Sequence, residues 1–140
     1  MFGNFQKSAL RIEMEAPAKI IGESLLCPAQ FRQWLAPQQF DPGLPEKLQT
    51  GFSFQSHLGG LSITHHVDVA TENSLRFLLS GGVDGYHEWL WGEGWVQSRL
   101  EGISLLPLNL GQTLTLLRLR SFVQLQALRE NNQSLGLVTE

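Results

Sequence analysis

The longest apolar segment of the chain spans residues 108–129 and reads LNLGQTLTLLRLRSFVQLQALR. After Gln112 it contains neither glycine nor proline, and its apolar side chains recur at spacings of three and four. This pattern predicts a C-terminal helix of about 20 residues, which would be roughly 30 Å long. Asn109 and Gln112 have the spacing of a capping box, which predicts the start of that helix.

The same segment also alternates with a period of two over residues 113–116 and 117–120, which is typical of a strand. We favour the helix because strands rarely exceed about ten residues. Leu, Phe and Val side chains cover most of the circumference of such a helix, so it needs a partner that curves around it. The face predicted to meet the inner side chains His65 and Trp89 carries Leu114, Leu117, Ser121 and Leu125.

The N-terminal third predicts one strand, two short helices and a loop. Residues 8–15 alternate between apolar and charged or polar side chains, as in a half-buried strand. Pro17 and Pro28 each stand at the start of a short amphipathic segment, where proline is favoured in helices. The run PQQFDPGLP at residues 37–45 predicts a loop, because its prolines remove amide donors and fix the backbone.

A pair of glycines, Gly59-Gly60, predicts a tight hairpin between strands at residues 51–58 and 61–70. The next predicted strand, residues 75–80, follows the turn TENS. With these registers one face of the sheet carries Phe52, Phe54, Ile63, His65, Val67, Val69, Leu75, Phe77 and Leu79.

A second hairpin, GYHEWLWGEGWVQSRLEG, has two possible loops. A turn at Glu93-Gly94 pairs Glu88 with Arg99. A three-residue loop at residues 92–94 would instead put Glu88 and Leu90 on the same face as Val96 and Ser98. We favour the first loop, because it leaves an ion pair in solvent and buries two tryptophans. The apolar face then carries His87, Trp89, Trp91, Val96, Ser98 and Leu100.

Composition restricts the class of protein. A chain of 140 residues with 42% hydrophobic and 16% charged residues predicts a single globular domain over residues 1–140. A net charge of −3 and scattered basic residues argue against a nucleic-acid partner. The single cysteine, Cys27, predicts a reducing, cytoplasmic compartment. We interpret it as a small, buried hydrophobic residue. No apolar stretch is long enough to predict a membrane span.

The opening IEMEAPAKIIGESL, the segments QWLAP and GFSF, and the closing helix resemble the START-like helix-grip superfamily, also called SRPBCC or Bet v 1-like. This resemblance covers residues 8–130. It implies an α+β fold in which a curved antiparallel sheet of about six strands wraps a long C-terminal helix and encloses a cavity. The superfamily includes polyketide cyclases, phosphatidylinositol-transfer-like domains and the Aha1 activator domain. It has no common catalytic residues, so the catalytic residues of this chain stay unknown.

The histidines are the chemically distinctive residues of the predicted inner face. His65 and His66 are adjacent in a strand and point to opposite faces, so they are poorly placed to chelate one metal. His87-Glu88 lacks the second histidine of a metalloprotease motif, since Trp91 stands there. Neither a metal nor a cofactor is predicted. The predicted ligand-binding residues are Phe54, His65, Phe77, His87, Trp89, Trp91, Ser98, Leu114 and Leu117.

Three functions are compatible with this pattern. We favour non-catalytic binding or carriage of a hydrophobic small molecule, such as a lipid, isoprenoid or polyketide-like compound, in the predicted cavity. The first alternative is a cyclase-like or dehydratase-like enzyme with His65 or His87 as its acid or base. The second is a protein-interaction module that resembles the Aha1 activator domain and uses the outer sheet face or Trp95. A homodimer is compatible with each of them.

Overall fold

A computed structural model describes residues 3–134 and 136 of the chain. Seven strands form one antiparallel sheet in the order β1-β7-β6-β5-β4-β3-β2. The strands are β1 (Asn4–Glu13), β2 (Gln39–Phe40), β3 (Ser53–Leu58), β4 (Leu61–Ala70), β5 (Ser74–Gly81), β6 (Val83–Gly92) and β7 (Trp95–Ser104). The helices are α1 (Ala18–Leu26), α2 (Pro28–Trp34) and α3 (Leu108–Ser134).

The predicted α+β architecture is confirmed, including the two short helices after the first strand and the long C-terminal helix. The sheet has seven strands instead of about six, because the predicted loop at residues 37–45 contributes the two-residue strand β2. Within the described residues, no helix is long and apolar enough to cross a membrane.

Both predicted hairpin registers are confirmed. Phe54 pairs with His65 across β3 and β4, and Glu88 pairs with Arg99 across β6 and β7. The second hairpin turns at Glu93-Gly94, and Gly94 supplies the positive φ of 78° that this tight turn needs.

The predicted place of Val69 on the inner face is wrong. A bulge shifts the register between Val67 and Val69, so Val69 pairs with Arg76 instead of with an inner residue. Because neighbouring side chains of a strand alternate between faces, the extra residue moves Ala70 onto the core side. The sequence carries no glycine or proline at this point that would announce the bulge.

The capping box predicted at Asn109 and Gln112 is also wrong. Helix α3 begins at Leu108, whose amide donates to Oε1 of Gln6 on β1 at 3.0 Å. The side-chain Nδ2 of Asn109 donates to the hydroxyl of Ser8, and this side chain does not cap the helix. The first helix amide therefore donates to a side chain from a strand, and not to a local capping residue.

The helix face predicted to meet the sheet is misplaced as well. Leu116, Leu119 and Val123 are the buried apolar residues of the middle of α3. Leu117 and Leu125, which were expected to face inward, are 41% and 47% exposed. Ser121 is exposed too. Apolar side chains lie on both faces of this helix, so their spacing alone did not determine which face is buried.

The core divides into two parts along α3. Its central residues, Leu116, Leu119 and Val123, pack with α1 against the inner face of the sheet. Its first two turns, beginning at Leu108, lie over a less filled region between the sheet and α2. That region holds the candidate site.

Candidate ligand-binding cavity

A cavity of about 350 Å³ lies between the sheet, the first two turns of α3 and helix α2. Its size falls at the lower end of the range for small-molecule sites. Leu58, Leu110 and Leu114 form an exposed rim. The wall contains aromatic and aliphatic side chains, among them Leu25, Phe31, Trp34, Leu35, Phe40, Phe54, Ile63, Leu75, Phe77, Leu79, Val83, Trp89 and Leu100.

His65 is one of two histidines in this wall. Its ring stacks on Phe54 with centroids 4.8 Å apart and meets the edge of Phe77 at 5.1 Å. Its Nε2 lies 2.9 Å from the hydroxyl of Ser56, and that hydroxyl accepts a bond of 2.8 Å from the side-chain amide of Gln38. Its Nδ1 is buried and has no partner among the described residues.

His87 is the second histidine, and it is held in the same way. Its Nε2 lies 2.6 Å from the hydroxyl of Ser98, which accepts a bond of 3.0 Å from Nε2 of Gln112. The ring packs on Trp89 with centroids 4.5 Å apart. Each histidine therefore ends a relay in which a glutamine holds a serine and the serine holds Nε2 of the ring.

The hydrogen bonds of Gln112 and Ser98 accommodate a neutral His87. Gln112 also donates to the carbonyl of Ser98 at 2.9 Å and accepts from the hydroxyl of Ser8 at 2.6 Å, which fixes the orientation of its amide. The hydroxyl of Ser98 accepts from that amide and can donate its own hydrogen to Nε2 of His87; with this direction of the bond, the proton of the neutral ring is on Nδ1. The relay through Gln38 and Ser56 has the same order of groups.

Both histidines are neutral at physiological pH. Desolvation by burial lowers the pKa of His65 to about 4. Desolvation, followed by the charge of His65, lowers the pKa of His87 to about 3. Both rings line the cavity and are half-buried, and burial disfavours the charged form of an imidazole. The site therefore presents neutral imidazole rings in an apolar wall.

Several solved structures share this arrangement of sheet and helix. Protein CV1439 from Chromobacterium violaceum matches with a TM-score of 0.70 and 16% identity, over 84% of this chain and 97% of that one. The structure of the Aha1 dimer from Colwellia psychrerythraea matches with a TM-score of 0.62 and 12% identity, over 85% and 96%. Major latex-like protein 151 from Panax ginseng matches with 0.60 and 11%, over 89% and 99%. The chain has the START-like helix-grip fold.

The likeness to these proteins is one of fold, because their identities to this chain are low. No protein-family model matches the sequence, and no curated protein matches it. Function therefore has to be argued from the residues that this START-like chain places around its cavity.

Six of the nine residues predicted from the sequence line the cavity of the START-like fold. They are Phe54, His65, Phe77, His87, Trp89 and Leu114. Ser98 stands behind the wall, and its hydroxyl contacts Nε2 of His87. Trp91 and Leu117 lie elsewhere.

The two outliers have different causes. Trp91 shares the face of Trp89 but lies beneath α1, where a Cβ on Gly22 would come within 2.9 Å of its ring nitrogen. Helix α1 therefore covers Trp91 and separates it from the cavity. Leu117 lies on the outer face of α3, because the helix is rotated relative to the prediction.

Sequence reasoning missed the residues that hold the histidines. Ser56 lies two residues after Phe54, so it is a polar residue on a predicted apolar face, and that signal was available. The sequence predicts Gln112 as part of a helix cap, whereas in the structure it is 3% exposed and bonds to β1 and β7. Gln38 lies in a predicted loop and carried no such signal.

Other candidate sites are weaker. A groove of about 740 Å³ beside α1 is lined by charged residues such as Lys19, Glu46 and Glu72, which does not suit an apolar ligand. Cys27 lies in that groove, and burial, then Glu23, raise the pKa of its thiol, so it is not an activated nucleophile. Among the described residues, no group of three or more histidine, cysteine or acidic side chains is placed to hold a metal ion.

Proposed function

We propose that this START-like chain, acting as a single domain, binds an uncharged and largely apolar small molecule in the cavity between α3 and the sheet. The lipid, isoprenoid and polyketide-like classes fit this description. The observation that carries the proposal is the cavity of about 350 Å³ whose apolar wall is interrupted by two neutral histidines. A mainly apolar pocket with a few placed polar groups is the usual form of a small-molecule site.

The apolar wall supports a hydrophobic ligand because each square ångström of apolar surface removed from water contributes about 25 cal/mol. The ligand would lie against the aromatic rings of Phe54, Phe77 and Trp89. A charged ligand is disfavoured, because the histidines are uncharged at neutral pH and burial of an unpaired charge is costly.

The histidines support a ligand that carries at least one oxygen acceptor, such as a carbonyl or hydroxyl group. The relays occupy Nε2 of both rings, so Nδ1 is the ring nitrogen left for a ligand, and it is a donor when the serine donates to Nε2. Nδ1 of His65 has no partner among the described residues, and a buried polar atom without a partner costs about 1–3 kcal/mol. An oxygen of the ligand that reached this ring would remove that cost.

The lowered pKa values favour binding over acid-base catalysis. A general base is most effective when its pKa lies near the working pH, whereas the pKa values of His65 and His87 are lowered to about 4 and about 3.

For the interaction-module alternative, Trp95 is a poor anchor, because the guanidinium of Arg11 lies 4.1 Å above its ring. The single cysteine supports a reducing cytoplasmic compartment.

A cavity-filling substitution tests the proposal. Thr115 lines the cavity from α3, whereas Thr113, on the same helix, is half-buried and does not. We expect Thr115→Phe to lower the affinity for a neutral fluorescent probe, N-phenyl-1-naphthylamine, by at least roughly tenfold, because its ring takes up ligand volume. The matched control Thr113→Phe should leave the affinity unchanged. Probe titration by fluorescence, with circular dichroism to verify folding, measures both.

Two results would overturn the proposed site. One is a wild-type protein that binds no neutral apolar probe and, as judged by native mass spectrometry, carries no bound small molecule after gentle purification. The other is an equal loss of affinity in the two threonine variants, since that would place the probe outside this cavity.

A further inference from the structure

The outer face of α3 carries a continuous apolar stripe, here called the outer leucine stripe. It consists of Leu110, Leu114, Leu117, Ser121, Leu125 and Leu128. Its leucines are 57%, 49%, 41%, 47% and 60% exposed, and Ser121 is exposed as well. Helices that pack on a sheet with one face usually place polar side chains on the other, so this stripe requires an explanation.

The stripe lies directly opposite the buried face of the helix. With 3.6 residues per turn, its members fall within about 40° on either side of Ser121. Leu119 and Val123, which are fully buried against the sheet and α1, point the other way. The described chain therefore leaves five aligned leucines about half-exposed over about five turns, beside Trp34 and Ala36 at the end of α2. An exposed patch of this kind marks an interaction surface.

The order of residues in the stripe is palindromic about Ser121. Leu117 and Leu125 stand four residues before and after it, and Leu114 and Leu128 stand seven residues before and after it. A second α3 helix that ran antiparallel, with a two-fold axis at Ser121, would set four of the five leucines against a leucine of its mate, and Leu110 against Asn132. Such self-complementarity is what a two-fold interface between identical chains requires.

Charges beside the stripe argue against a membrane surface as its occupant. Helices that lie on membranes carry many lysine and arginine residues on the polar face that flanks their apolar one. Helix α3 has no lysine, and its arginines are Arg118, Arg120 and Arg129. Arg118 donates to the carbonyl of Ala36, and Arg120 lies in a groove beside Glu13 and Glu15. The other neighbours of the stripe are mainly uncharged.

We propose that the outer leucine stripe binds a second copy of this chain through an antiparallel, two-fold pairing of the α3 helices centred on Ser121. The small side chain of Ser121 lets the two backbones approach at the axis. Leu128 of the second copy would lie on Leu114, which also belongs to the rim of the cavity. The pairing therefore places the second helix beside the mouth of the cavity.

The oligomeric state tests the stripe. Sedimentation equilibrium of the wild type at micromolar to 100 µM concentrations should give a dimer, and Leu117→Glu should give a monomer with an unchanged circular dichroism spectrum. Leu105→Glu is the control, because Leu105 is 73% exposed but lies before α3. A wild type that stays monomeric, or a dimer that survives Leu117→Glu, would overturn the proposal.

Cross-linking tests the direction and centre of the pairing, in a Cys27→Ser background. Under mild oxidation Ser121→Cys should cross-link to itself. A mixture of Leu114→Cys and Leu128→Cys should cross-link, whereas Leu114→Cys alone should not, because its two copies would be about 21 Å apart along the axis. Asn131→Cys, with copies about 30 Å apart, is the control.

Two results would overturn the proposal. Self-linking of Leu114→Cys would indicate that the helices pair in parallel. Binding of a monomeric chain to anionic vesicles would indicate that the stripe binds a membrane surface.

Discussion

The neutral state of the two cavity histidines is the residue-scale property from which most of the proposed function follows. Each ring is desolvated, each is held at Nε2 by a serine, and each serine is held by a glutamine. The relays fix the positions of the imidazoles, and desolvation keeps the rings uncharged in the apolar wall. The site can therefore orient an oxygen atom without introducing a charge.

The pH dependence of stability tests this state. The pKa of His87 is lowered from an ordinary value near 6.5 to about 3, and that of His65 to about 4. Between pH 6.5 and these values the unfolded chain binds more protons than the folded one, so stability is lost as the pH falls. Each unit of lowering corresponds to about 1.4 kcal/mol.

We expect His87→Phe to flatten the fall in the free energy of unfolding between pH 7 and pH 4, as measured by urea titrations at each pH. His66→Phe is the control, because His66 lies on the opposite, exposed face, where its Nδ1 contacts the hydroxyl of Ser53. If His87→Phe and the wild type lost equal stability over this range, the buried neutral histidine would be ruled out.

Helix α3 is the element on which the site depends, and Gln112 attaches it to the sheet. The side chain of Gln112 bonds to Ser98 on β7 and to Ser8 on β1, and Gln6 on β1 caps the helix start. These bonds hold the first turns of the helix over the cavity while the following turns pack into the core.

Replacement of Gln112 by leucine, which has a similar volume, should lower the free energy of unfolding by about 1–3 kcal/mol, because the buried carbonyl and hydroxyl of Ser98 and the half-buried Ser8 lose a partner. Amide hydrogen exchange should accelerate in the first turns of α3 and not in its middle. Gln126→Leu, at a half-buried position of the same helix, should change the stability by less than about 0.5 kcal/mol. An unchanged stability of Gln112→Leu would show that the relay does not hold the helix.

Features with a local sequence signal could be predicted, and features that depend on residues distant in sequence could not. The turn at Glu93-Gly94 fixed the register of β6 and β7 from the sequence, and with it the inward direction of His87 and Trp89. The rotation of α3 was not predictable, because leucines lie on both of its faces. The relay from Gln38 to His65 joins a loop and two strands, so it forms only when the chain has folded.

At the scale of the whole molecule, the START-like fold explains why a cavity exists at all. Helices α1 and α2 and the middle of α3 fill one part of the space above the sheet, and the first turns of α3 leave the other part open. The resemblance in sequence implied this arrangement, and the strand order and the solved structures confirm the fold. The volume of the cavity and the full set of residues that line it were not predictable from the sequence and are given by the structure.

The central claim is that this cavity takes an uncharged apolar molecule with an oxygen acceptor. Calorimetric titration with three compounds that share two phenyl rings on one bridging carbon tests it most directly: benzophenone, its hydrocarbon relative diphenylmethane, and the anion 2-benzoylbenzoate. We predict that the ketone binds tightest, that the hydrocarbon binds roughly fivefold more weakly because it lacks a hydrogen bond of about 1 kcal/mol, and that the anion does not bind detectably. Binding of the anion as tight as that of the ketone, or no binding of the ketone, would contradict the account.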